Sequence, residues 1–231
     1  MKNKLAVLGA AALVLASPLL WADGEDISKI NGSIRVDSGR KVGSVETVNG
    51  SIRLEDSVTA GDLETVSGSI DIGRDGSVGD VDTVNGNVSL DRGAKVESIE
   101  LVNGRLRIEE QAQVRGDVTS VNGSIVLAKS AQVGGHVQNV NGDIELDGAR
   151  IGNGIKTTNG DIEIGAGSRV DGGIVVEKPD SLFFSNNRKP KITIGPDAVV
   201  NGTLRFDRPV ELRISERATV GKIVGAHPIK D

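Results

Sequence analysis

Few residues of this 231-residue chain are of a type and spacing that could carry chemistry. His136 and His227 are the only histidines, and they are too far apart to share a zinc ion without unusual help from carboxylates. There is no cysteine, so thiolate nucleophiles, thiolate metal sites, lipid-modified cysteine and disulfides are all excluded. Asp71, Asp75, Asp80 and Asp82 lie close in sequence, but their spacing is not that of a calcium loop. Arg115-Gly116-Asp117 spells a cell-adhesion tripeptide, yet it falls where other repeats read Gly-Gly-His or Asp-Gly-Gly. Asn31, Asn49 and Asn122 each open an Asn-Gly-Ser glycosylation sequon as a by-product of a recurrent turn. Carboxylate pairs can cleave glycosidic bonds. Enzymes that do so on rod-like β folds use long loops and aromatic sugar platforms, whereas Trp21 is the single tryptophan here and there is no tyrosine. No catalytic, cofactor-binding or metal-binding residue is expected, and the chain is not expected to be an enzyme.

One segment departs from its surroundings and is the candidate contact site. Residues 178–190 read KPDSLFFSNNRKP, holding two of the three phenylalanines of the chain. Insertions in repeat proteins tend to map to one binding face. Leu182, Phe183, Phe184, Arg188 and Lys189 are the residues expected to contact a partner. Phe206 falls at nearly the same point one repeat later, so the aromatic residues are expected either to pack together against the body or to join that contact.

What must position these residues is a repeat. Asn31-Gly32, Asn49-Gly50, Ser67-Gly68, Asn85-Gly86, Asn103-Gly104, Asn122-Gly123, Asn141-Gly142 and Asn159-Gly160 follow one another every 18 or 19 residues. A constant period of this size is that of a solenoid whose coils cover one another's core face. Five columns are apolar nearly throughout. They begin at Ile30 (then Val48, Val66, Val84), Ile34, Val36, Val42 and Val45, and all five are expected to point inward. The two-residue step from Ile34 to Val36 is strand alternation, and β-branched residues dominate, as a pleated surface favours.

The pattern resumes at Ile192 and again at Leu212, for about ten coils. The predicted fold is all-β, a single-stranded β-solenoid with three short strands per coil. Inward columns spaced 4, 2, 6, 3 and 3 do not follow a hexapeptide rule, which favours a right-handed, three-sided helix. Glycine permits positive φ at each Asn-Gly corner. The side chains of Asn31, Asn49, Asn85, Asn103, Asn122, Asn141 and Asn159 are expected to stack as a hydrogen-bonded ladder.

The ends of the chain set its context. Lys2 and Lys4 precede an apolar run from Leu5 to Leu20, then Ala22: a signal peptide, 1–22, cut after Ala22. The run is about 16 residues, short of the roughly 20 that span a bilayer, and no later stretch is long enough to cross as a helix. Removing Lys2 and Lys4 from 27 basic residues leaves 25 against 32 acidic ones, a formal charge of −7. That balance disfavours nucleic acid as a partner. The domain is expected to span 23–231, exported to the periplasm or cell surface, with 224–231 blunting one end. Open ends expose strand edges suited to self-association.

Glu46-Thr47-Val48-Asn49-Gly50-Ser51-Ile52-Arg53-Leu54 resembles the TVNGSI-type repeats of a bacterial adhesin β-strand-repeat family. Ala112-Gln113-Val114-Arg115-Gly116-Asp117-Val118 and Ala131-Gln132-Val133-Gly134-Gly135-His136-Val137 are similar instead to bactofilins, polymer-forming β-helical proteins of the cytoplasm. The resemblance implies a right-handed β-helix without catalysis that serves either surface adhesion or end-to-end polymerisation. An export signal departs from the bactofilin pattern. The main reading is an exported structural or adhesin-like element of a bacterial envelope; self-polymerising scaffold and carbohydrate-binding module remain open, with an envelope glycan or surface protein as partner.

Overall fold

A computed structural model describes residues 24–179 and 188–230. The expected signal peptide therefore lies outside the described residues. No described residue is helical by backbone pattern. The strands form three parallel sheets. Sheet A holds eleven strands, from Ile27–Asn31 to Ile223–Val224, and sheet B holds eleven, from Ile34–Val36 to Ile229–Lys230. Sheet C holds seven two-residue strands, from Lys95–Val96 to Thr219–Val220. Bridges Lys41↔Thr59, Thr59↔Ser77 and Ser77↔Lys95 carry its pairing into the earlier coils. The result is a β-solenoid of eleven coils, one more than the repeat count suggested. The tail does not simply close the rod, because Ile229 and Lys230 pair with Arg213 and Ile214 and extend sheet B.

Each coil places strands from the same repeat position directly over one another. Ile34 pairs with Ile52, Ile52 with Ile70, and Val45 with Leu63. At ~4.8 Å per coil the stack is roughly 50 Å long. Buried Ile, Val and Leu from the three sheets fill the interior as one continuous cluster. A sixth inward column, of small residues in the turn between sheets B and C, was not legible as a core position. It runs Val58, Ala94, Ala112, Ala131, Ala149, Ser168 and Ala198, all buried.

The first expected inward column faces the other way. In strand Val45–Asn49, Val45 and Thr47 are buried while Glu46 and Val48 turn outward. The row Val48, Val66, Val84, Val102, Val121, Val140 is half-buried on the outer surface, and Ile30 is 73% exposed. Its inward counterpart is polar at six of seven positions, Leu101 being the exception: Thr47, Thr65, Thr83, Leu101, Ser120, Asn139, Thr157. Strict alternation from the buried Val45 column dictates this, whatever the hydropathy of the residues. Part of the polar column reaches corner carbonyls, whereas the buried hydroxyls of Thr83 and Ser120 have no hydrogen-bond partner. Thr65 Oγ1 donates to Gly50 O at 3.0 Å, and Asn139 Nδ2 to Gly123 O at 2.7 Å and Gly142 O at 2.9 Å.

Glycine is needed at the Asn-Gly corner chiefly for room. A Cβ on Gly123 would stand 1.6 Å from the Gly104 carbonyl oxygen, and one on Gly86 1.8 Å from that of Gly68. Successive coils meet backbone to backbone there, and the Gly123 N–H donates to Asn141 O at 2.9 Å.

Candidate functional site

The insertion is the one interruption of the stack, and its exit is firmly held. Leu182, Phe183 and Phe184 lie outside the described residues. Arg188 is exposed and paired with Asp161, whose Oδ1 also accepts from the backbone N–H of Lys191 at 2.9 Å. Lys189 is exposed. Phe206 is not a surface residue. It is 4% exposed, pairs in register with Val176, and fills the inward column that begins at Thr47. Its expected contact role is corrected accordingly: strand alternation from Leu204 turns it into the core.

The asparagine ladder runs up to this break. Asn49 Nδ2 donates to Asn31 Oδ1 at 3.2 Å, Asn103 to Asn85 at 2.9 Å and Asn122 to Asn103 at 2.9 Å. Asn141 donates to Asn122 at 2.9 Å and Asn159 to Asn141 at 2.8 Å. Ser67 separates Asn49 from Asn85. At the far end Arg208 closes the row, donating from Nη1 to Asn159 Oδ1 at 2.6 Å and to Thr158 O at 2.9 Å. Its Nη2 donates to the Arg188 carbonyl at 3.0 Å, tying the insertion's exit to the end of the ladder. Arg208 was not singled out in the sequence, because only the fold brings it next to a residue 49 positions earlier.

Outer sheet A carries a second feature that the repeat pattern hid. One outward column reads Ser28, Glu46, Glu64, Asp82, Glu100, Thr119, Gln138, Lys156, Val175, Arg205, each in register with the next. Four acids thus stack directly, and no ion pair among the described residues holds any of them. Partial desolvation, then Glu100 and Glu64, pushes the Asp82 carboxyl up to about 6; desolvation and Glu64 also raise Glu46. A signal existed: residues exactly one repeat apart and all acidic.

The remaining candidates separate or find structural partners. Asp71 is on sheet B, 4.0 Å from Arg53, while Asp82 is on sheet A, so the aspartate cluster does not converge. Arg115 pairs with Glu97 at 3.0 Å, and Asp117 Oδ1 accepts from the His136 N–H at 2.7 Å, so both charged ends of that tripeptide hold neighbouring coils. Among the described residues no group of three or more His, Asp or Glu side chains has the geometry to hold a metal.

A shallow depression of about 570 Å³ is lined by His136, Asn153, Lys156 and Asp171 over Gly152, Gly154, Gly172 and Gly173. Its glycines have a structural cause: a Cβ on Gly172 would lie 1.7 Å from the Asn153 carbonyl oxygen. What this surface offers chemically is repetition, with ladders of one side chain at a fixed rise. The chain matches no protein-family model, no curated protein and no solved structure.

Proposed function

We propose that this protein is an exported, non-catalytic structural rod of a bacterial envelope, adhesin-like in presenting regular polar faces. The observation that carries the reading is the set of outward columns held in register along eleven coils. Such a frame repeats one contact at ~4.8 Å intervals and suits a partner that is itself repetitive, such as an envelope glycan or a surface protein. The likeness of its repeats to adhesin-type sequences and the leader ending at Ala22 support the same reading.

The end-to-end scaffold has a specific observation against it. Lys29 occupies the inward column of the first coil, in register with Thr47, and its Nζ donates to Ser33 O at 3.0 Å. A charge at a core position on a terminal strand is a recognised way to block edge-to-edge growth.

The test is N-terminal sequencing and protease shaving of the source cells, with negative-stain microscopy of the purified protein. A mature start at Asp23, loss of the protein on shaving, and rods near 50 Å in length fit the reading. Retention in the cytoplasm, or filaments that lengthen with concentration, would overturn it in favour of the scaffold.

A further inference from the structure

One outward column of sheet A carries opposite charges placed symmetrically about its middle coil. Thr119 is in the sixth of eleven coils. Two coils before it in the outward column stands Asp82, and two coils after it Lys156; four before stands Glu46, and four after it Arg205. One column over, Asp26 precedes the first strand of sheet A and Lys222 the eleventh, so the two ends of that column are also of opposite charge. We infer that a second copy of this chain packs antiparallel on sheet A, about an axis running along strand Val118–Asn122. This goes beyond the proposed envelope role and does not depend on it.

The geometry follows from the direction of the axis. A half-turn about the strand direction reverses the rod but leaves each column over itself, so the first coil of one copy faces the eleventh of the other. Glu46 then faces Arg205, Glu64 faces Val175, Asp82 faces Lys156, Glu100 faces Gln138, and Thr119 faces its own counterpart. Each charged pair occurs twice, as an isologous contact requires. The half-buried outer valines supply the apolar centre: Val121 lies nearest the axis, with Val102 and Val140 one coil to either side. An apolar strip with charges toward the ends is the usual anatomy of a specific interface.

Size and electrostatics agree. The strands of sheet A, five residues long in the first seven coils and two or three in the last four, present roughly 700 Å² per copy, close to the amount a standard pairwise contact buries. Four stacked acids without a counter-charge repel one another in the single rod, and a Lys and an Arg facing two of them relieve part of that. Lys156 and Arg205 already hold Glu177 at 2.9 Å and Asp207 at 3.3 Å. Those pairs are surface pairs worth ~1 kcal/mol or less, so they can share their cation with a facing carboxylate.

The absence of cysteine gives a clean reporter. Full chain carrying Thr119→Cys is treated with a short bis-maleimide, since facing sheets stand ~10 Å apart; Arg107→Cys, outward on sheet B, is the control. Sedimentation across ~1–100 µM runs alongside, with Asp82→Lys, Lys156→Asp and the double variant. The expected results are a cross-linked pair at position 119 and little at 107, and twice the single-rod mass without added length. Each charge reversal should weaken pairing about tenfold, with recovery in the double variant. A single-rod mass throughout, or equal cross-linking at 107 and 119, would overturn the inference. Because the cross-link is read in a chain with native charges, it decides the matter even if a charge variant fails to fold. A lateral pair keeps the length of one rod, so this result is separable from the end-to-end filaments that would sink the envelope reading.

Discussion

Arg208 donates to the side-chain oxygen of Asn159 at 2.6 Å across 49 residues of sequence, and so terminates the asparagine ladder at the point where the stack is interrupted. The same guanidinium holds the carbonyls of Thr158 and Arg188. Arg208→Met keeps the aliphatic stem and removes these bonds. It should lower stability by ~2 kcal/mol, since charged donors contribute more than neutral ones. Limited proteolysis should cut within 178–190 faster than in the wild type; unchanged cleavage would show that the exit is held by other contacts.

The ladder is broken once, at Ser67, between Asn49 and Asn85 in register. Ser67→Asn should join the two parts and raise stability by ~1 kcal/mol, while Asn122→Ala, which removes two bonds of the row, should lower it by a similar amount or more. For a chain of this size that is a shift of about 2–4 °C per kcal/mol in Tm, measured by thermal melting. Melting points that do not move in opposite directions would mean the ladder contributes no net stability.

Gly123 has no room for a methyl group beneath the Gly104 carbonyl oxygen. Since the obstacle is backbone on a paired coil, relief requires the coils to part. Gly123→Ala should cost about 3 kcal/mol, at the upper end of overpacking changes, and hydrogen exchange should quicken at the amides of coils five and six first. Gly167→Ala is the comparison, because nothing lies within 4 Å of its would-be Cβ and only its φ of +66° is strained. It should cost ~1 kcal/mol.

The acid stack sets a pH dependence with a definite sign. Asp82 is raised to about 6 and Glu46 is raised as well, so the folded chain holds these protons more tightly than the unfolded one. Their contribution is fully present below the ordinary carboxylate range and is lost as pH rises through about 6, so Tm should climb as pH falls from 7 to 5. Asp171 is lowered by its hydrogen bonds to Arg150 and Arg169, and its effect is confined to more acid conditions. Asp82 stands on an exposed outer position, and water screens the repulsion to ~1 kcal/mol or below. Asp82→Asn should raise Tm at pH 7 and flatten its rise toward pH 5; a variant that keeps the wild-type slope would place the titration elsewhere.

The repeat period, the all-β class and the stacking of coils are all written in the sequence, because a solenoid repeats its local environment and each column samples it many times. The asparagine row was legible for the same reason. Individual columns were less so where hydropathy and facing disagree. Valine at Val48 and its equivalents reads as core, but alternation from Val45 turns it outward and brings Thr47 in, where corner carbonyls satisfy it. Phe206 proves to be core rather than contact surface.

Local pattern alone therefore determined the coil: its length, its turns and the identity of most inward residues, since these depend on backbone preferences and the exclusion of apolar side chains from water within a few residues. Only the tertiary stack decided what lies one coil away. It set Glu64 between Glu46 and Asp82, brought Arg208 to Asn159, and put Lys29 in register with the inward Thr47, because such contacts depend on register between strands 18 or more residues apart, and no local preference encodes that register.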